Sequence, residues 1–191
     1  MSDTETLTRN VGGEELPHPA TYVLDKAHTT VAFVARHMMV SKVRGHFNDF
    51  DGKIVVAEDP ASSEVDVTID VASIDTREPQ RDTHLKSADF FDVEKFPSIT
   101  FKSTRIHGGK GEWKVTGDLT IRDVTRPVTL DIEFLGASPD PWGGKRIGFS
   151  ATTKVDREDF GLTWNAAIEA GGVVVGREVK IEIDAEAVLQ A

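Results

Sequence analysis

The sequence predicts an all-β protein of about eight antiparallel strands, whose apolar faces close on one another as a barrel or a sandwich. Three observations predict it. Two-residue alternation recurs along the chain, clusters of turn-forming residues separate the alternating runs, and one short stretch alone has helical chemistry.

The alternation is clearest in three places. In "SEVDVTIDV", Val65, Val67, Ile69 and Val71 fall on one face, and Glu64, Asp66, Thr68 and Asp70 on the other. In "PVTLDIEF", Val128, Leu130, Ile132 and Phe134 oppose Thr129, Asp131 and Glu133. In "VKIEIDAEA", Val179, Ile181, Ile183, Ala185 and Ala187 oppose Lys180, Glu182, Asp184 and Glu186. One wet and one dry face mark antiparallel sheet.

The remaining elements follow in order. Residues 1–20 carry Gly12, Gly13, Pro17 and Pro19 with little apolar surface, and read as a disordered tail; residues 21–191 then form one domain. Weaker strands are expected at His28–His37, Val43–Val56, Ser98–Ile106, Trp113–Ile121 and Lys145–Val155, with "HGGKGE" and "ASPDPWGGK" as turns. "PQRDTHLKS", Pro79–Ser87, is the one expected helix, with proline where a first turn tolerates it.

Composition excludes several functions. The formal net charge of −10 argues against a general affinity for nucleic acid or anionic membranes. There is no cysteine, hence no disulfide or thiolate metal site. The polar N-terminus lacks the basic start and apolar run of a secretory signal, which predicts a cytoplasmic protein. No run approaches the roughly 20 apolar residues of a membrane-spanning helix.

The dry face is the informative surface. Beside Phe33, Phe101, Leu119, Ile132 and Phe149 it carries Ala35, Ser103, Gly117, Ala151, Ala185 and Ala187. Such small residues either leave room for a ligand or offset bulky neighbours across the interior. Phe90, Phe91, Phe96 and Phe101 add an aromatic cluster within twelve consecutive positions.

Other strings carry less. "DFG" at Asp159–Gly161 lacks the companion motifs of a kinase, and "GGKG" at Gly108–Gly111 leads into a strand, so it is no phosphate cradle. Asp156, Glu158 and Asp159 read as a charged turn. The six histidines have no metal-ligand spacing, and neither a metal nor a cofactor is expected. Among dry-face residues only His37 readily titrates, which favours a binding protein over an enzyme; an enzyme acting on an amphiphile, with His37 as base, is the alternative. "RHMMVSKVRGH" holds Arg36, His37, Lys42, Arg44 and His46 without an acid. It reads as a solvated strand end, or as a positive collar for an anionic head group, with His37 inward and Met38 and Met39 as adaptable contacts.

Four strings, "LDKAHTTVAFVARHMMVSKVRGHFNDFDGKI", "IDVASIDTREPQRDTHLKSADFFDVEKFPSITFKST", "TGDLTIRDVTRPVTL" and "GFSATTKVDREDFGL", together resemble the YceI-like family, from about Tyr22 to Val188. The resemblance implies an extended, lipocalin-like barrel of eight antiparallel strands with one or two short helices. It further implies a lumen that binds a polyisoprenoid or another long-chain amphiphile, a homodimer, and no catalytic machinery. Many similar proteins carry a signal peptide, which this sequence lacks, and "WNAAIEAGGVVVG" from Trp164 to Gly176 lies where similar sequences vary. On this reading the ligand contacts are Phe33, Ala35, His37, Met38, Met39, Arg44, Phe91, Ile99, Phe101, Leu119, Ile132, Phe149, Trp164 and Ile181.

Overall fold

The computed structural model describes residues 6–169 and 171–191. Strands β1 (Thr8–Val11) and β2 (Glu14–Pro17) form a hairpin at the N-terminus. β3 (Ala20–Leu24), β4 (Thr30–His37), β5 (Ser41–Phe47), β6 (Phe50–Val56), β7 (Glu64–Asp70) and β8 (Ile74–Asp75) precede the helix α1 (Pro79–Lys86). Five long strands follow: β9 (Ser98–Gly109), β10 (Glu112–Ile121), β11 (Val124–Pro139), β12 (Lys145–Asp156) and β13 (Val175–Leu189).

Hydrogen bonding runs β12-β11-β10-β9-β7-β6-β3-β13, and β13 pairs back onto β12, so eight antiparallel strands close a barrel. β4 continues the line of β3 along the same edge of β13; β5 then pairs with β4, and β8 with β5. Three wall strands are thus broken and resumed. At the first break, Thr29 replaces the missing ladder partner: its hydroxyl donates to the Glu186 carbonyl and accepts from the Glu186 N–H, both at 3.0 Å. The continuous strand expected over Val43–Val56 is likewise split, because Asn48 and Asp49 turn their backbone to Ser73 and Asp70.

The helix lies where proline and capping chemistry place it. Pro79 opens it, and the Glu78 carboxylate accepts from the Gln80 N–H at 3.1 Å. Asp82 accepts from both the backbone N–H and the hydroxyl of Thr76, which ties the helix to the end of β8.

Part of the N-terminal tail read as disordered is ordered. Gly12 and Gly13, both at positive φ, make the tight turn between β1 and β2. Leu16 is 6% exposed, and Glu14 accepts from the Trp113 indole N–H at 2.7 Å and the Gly111 N–H at 3.0 Å. Few apolar residues suffice because the hairpin packs on an existing barrel end. Residues 1–5 of that tail lie outside the described residues.

The core follows the alternation. A large cluster containing Val31, Phe47, Ile99, Phe101, Leu119 and Leu130 fills most of the barrel, and Tyr22, Ile147 and Ala187 form a smaller one.

Candidate ligand-binding cavity

The inward side chains leave an elongated cavity of about 340 Å³ inside the barrel. Val65, Val67 and Ile69 line it from β7, Val128, Leu130, Ile132 and Phe134 from β11, and Val179, Ile181, Ile183 and Ala185 from β13. These are the dry residues of the three clearest alternating runs, except Val71 and Ala187, which pack in the core clusters. One end is lined by Leu85 of α1 with Phe90, Phe91, Phe160 and Leu162, and the other by Leu16 and Pro17 of the hairpin with Pro60 and Trp113.

The small inward residues divide between the two readings the sequence allows. Ala35, Ala151 and Ala185 face the cavity and contribute room. Gly117 instead makes way for a ring: a Cβ there would stand 2.5 Å from Phe101 Cζ and 2.6 Å from the Lys102 carbonyl. Ser103 accepts from the Val65 N–H at 2.8 Å, and Ala187 packs in the smaller core cluster.

Of the fourteen expected contacts, Phe33, Ala35, Phe91, Ile99, Phe101, Leu119, Ile132, Phe149 and Ile181 are on the cavity wall. The other five are not. His37, the last residue of β4, pairs with Ser41 and with the wall residue Val175, but is not itself on the wall, which on β4 ends at Ala35. Met38 and Met39 form the exposed tip of the β4–β5 turn. Arg44 projects outward and pairs with Glu182 on β13 at 3.2 Å, so the expected collar does not close over the lumen. Trp164 stands one layer behind the wall, edge-on to His84 at 4.7 Å and tilted against Phe90 at 5.4 Å.

Two charged residues line the cavity among those described, and neither was expected there: Arg157 and Arg9. Arg157 is 6% exposed. Its guanidinium donates to the carbonyls of Gly176, Leu162, Trp164 and Val175, at 2.9, 2.5, 3.0 and 3.2 Å. Burial lowers its pKa, opposed by the charges of Glu158 and Asp156, and it remains a cation. It binds the 161–176 segment to the end of β12. In sequence it sits inside "DREDFG", which looks like a solvated charged turn, and alternation says nothing about a residue just past a strand.

A second polar cluster lies outside the cavity. Single ligand atoms of Asp25, His28 and Glu186 fall within 4.8 Å of one another. Their shared cation is the Arg146 guanidinium, whose Nη1 donates to both Asp25 and Glu186 at 2.5 Å.

Residues 22–187, nearly the whole barrel, match the YceI-like domain. The chain belongs to the YceI-like family. It is 41% identical over 174 residues to Protein YceI of Salmonella newport, covering 90% of this chain and 88% of that protein. The crystal structure of the Campylobacter jejuni YceI protein superposes with a TM-score of 0.70 at 32% identity, covering 82% of this chain and 90% of that one. A polyisoprenoid binding domain from Saccharophagus degradans, implicated in plant cell wall breakdown, has the same fold, with a TM-score of 0.66 at 16% identity, covering 91% and 100%. The YceI-like match begins after β2, so the hairpin that lines one end of the cavity precedes the family domain.

Proposed function

We propose that this YceI-like barrel binds and carries, or sequesters, a single long-chain amphiphile of the polyisoprenoid or fatty class, with the tail in the lumen. The carrying observation is the cavity: elongated, about 340 Å³, and lined almost wholly by Val, Ile, Leu, Phe and Ala. That volume lies at the lower end of the roughly 300–1,000 Å³ of small-molecule sites, and suits one slender chain. Burying a methylene contributes about 0.8 kcal/mol, so a tail of about twenty carbons offers roughly 16 kcal/mol before association costs of about 4–15 kcal/mol. Tail length and girth then decide affinity. The polyisoprenoid binding domain of the same fold supports this ligand class.

Binding rather than turnover is the reading we favour, because among the described residues the wall presents no carboxylate or histidine to a substrate, and His37 is not part of it. A homodimer belongs to the same proposal; Val23 and Leu135 leave apolar side chains exposed on the outer wall.

Native mass spectrometry of the purified protein, before and after solvent extraction, tests the reading. Bound prenyl or acyl chains that return on reconstitution support it, with Ala185→Trp blocking uptake while the fold persists. Protein that is always empty and takes up no such chain overturns it.

A further inference from the structure

We infer that the β4–β5 turn docks this protein on an anionic lipid surface, Met38, Met39 and Val40 entering the interface and Arg36 and Lys42 meeting the head groups. The inference stands apart from the cavity, since none of these residues is on its wall.

Met38, Met39 and Val40 are 40%, 63% and 81% exposed and follow one another at the tip of the turn. Among the described residues, the other large apolar side chains left this open are Val23, Leu135 and Trp142, which stand singly in sequence. Single exposed apolar residues are ordinary, whereas a contiguous exposed group marks a contact surface. Half-buried Ile168 extends the group: a Cβ on Gly172 would stand 3.6 Å from Met39 Cγ and 3.7 Å from Ile168 Cδ1. The backbone is costly too. Met38 and Met39 hold φ 49° and φ 65°, where glycine sits without strain, so apolar side chains are kept here against local stability.

The charges around the tip select the partner. No acid occurs from residue 26 to residue 48, a span that holds all of β4 and β5. Arg36 and Lys42 are exposed and lie directly opposite each other across the two strands, a placement that like charges disfavour. Neither has an ion pair among the described residues. The carboxylates of β13 are engaged, Glu178 with Lys154 at 2.9 Å, and Glu182 with Arg44 and Lys180 at 3.2 and 2.8 Å. Exposed Glu169, beside Ile168, offsets one of the two cations and leaves the tip positive.

An apolar point between unpaired cations matches the boundary of an anionic bilayer, where acyl chains take the methionines and phosphates take the guanidinium and the ammonium. A symmetric contact with a second copy would instead bring two pairs of such cations together. The protein's remote charge of −10 is screened beyond about 8 Å at physiological ionic strength, so the local balance decides.

Co-sedimentation of the full chain with vesicles tests the inference, using pure phosphatidylcholine and an equal mixture of phosphatidylcholine and phosphatidylglycerol. Wild type is expected to bind the mixed vesicles and to be released by high salt. Met38→Asn with Met39→Gly removes the apolar point while suiting the turn, and should weaken binding about tenfold with the fold intact. Arg36→Gln with Lys42→Gln should weaken binding to the mixed vesicles about twentyfold and leave any binding to pure phosphatidylcholine unchanged. Trp142→Ser, at an exposed apolar site elsewhere, should change nothing. Thermal melts verify the fold of each variant. Wild type that binds neither vesicle, or binding that either double variant leaves unchanged, overturns the inference. Equal binding to the two vesicle types overturns the anionic class. A loss caused by Trp142→Ser assigns docking to the β11–β12 turn and overturns the role of the β4–β5 tip. A lipid-free dimer that Met38→Asn with Met39→Gly dissociates assigns the tip to a second copy and likewise overturns it.

Discussion

Arg146 on β12 and Asp25, at the corner where β3 gives way to β4, are joined by a 2.5 Å hydrogen bond that spans 121 positions of sequence. The same guanidinium reaches Asp140 at 2.8 Å in the β11–β12 turn and Glu186 on β13. One cation thus fastens three carboxylates from three parts of the barrel wall. Arg146→Met is expected to lower the unfolding free energy at neutral pH, because charged hydrogen bonds are lost and the carboxylates face one another. Denaturant melts check the value, and the deficit should shrink as acid neutralises the carboxylates.

Asp25 also predicts how the fold responds to acid. The Arg146 guanidinium first, and His28 second, hold its carboxyl down at about 2. Unfolded, the group titrates near about 3.9. A depressed carboxylate stabilises the fold above its unfolded value and loses that contribution as pH falls through its folded value. Asp25→Asn should therefore flatten stability measured between about pH 4 and about pH 2, and leave the slope above pH 5 unchanged. An unaltered acid limb would assign the dependence to other carboxylates.

The β4–β5 turn holds Met38 at φ 49° and Met39 at φ 65°, closed by a 3.1 Å bond from the Val40 N–H to the His37 carbonyl. Left-handed backbone costs a non-glycine residue about 1–2 kcal/mol, and a turn with both central residues at positive φ prefers Asn-Gly. Replacing Met38-Met39 by Asn-Gly should stabilise the protein by about 1–2 kcal/mol, as read by thermal melts. Amphiphile uptake should not change, because neither methionine is on the wall.

Gly117→Ala tests the packing beneath Phe101. A Cβ there meets both the Phe101 ring and the Lys102 backbone carbonyl, so the ring must move and the β9–β10 ladder must shift with it. A stability loss of about 1–3 kcal/mol and weaker uptake of long tails are expected together. Uptake at wild-type strength would mean that Phe101 lies outside the space the tail occupies.

Glu14→Ala tests the hairpin as a cover. It leaves the Trp113 indole N–H without its acceptor and frees one side of β1–β2. Ligand release, followed by dye displacement in stopped flow, should quicken about five- to tenfold, the factor of one lost hydrogen bond. Release at the wild-type rate would place the exchange route at the α1 end.

The legible parts of this protein are those with a period. The alternating residues of β7, β11 and β13 read directly as cavity wall, and Pro79 marks the helix start. The hairpin is hard to read although Gly12-Gly13 is itself a hairpin signal, because Leu16 and Val11 give too weak a pattern to mark strands. His37 lies off the wall for a reason that alternation does not show. Alternation gives a direction along a strand but not how far the lumen extends, and β4 outruns the wall by two residues, His37 following Ala35 and Arg36. Arg9 and Arg157 are invisible to pattern because their places depend on carbonyls and a carboxylate brought in from distant segments.

The pairing of β13 with β12 on one side and with β3 and β4 on the other has a consequence for the birth of the molecule. Translation delivers every other wall strand before the one that seals the ring. At about 5–20 residues per second, the first-made edge waits on the order of ten seconds for its partner. Throughout that interval two raw strand edges offer unpaired N–H and C=O groups to neighbours on the same polysome. Mutual repulsion among chains of net charge −10 opposes such cross-pairing, so the acidity of the sequence protects the unfinished ring as much as the finished one.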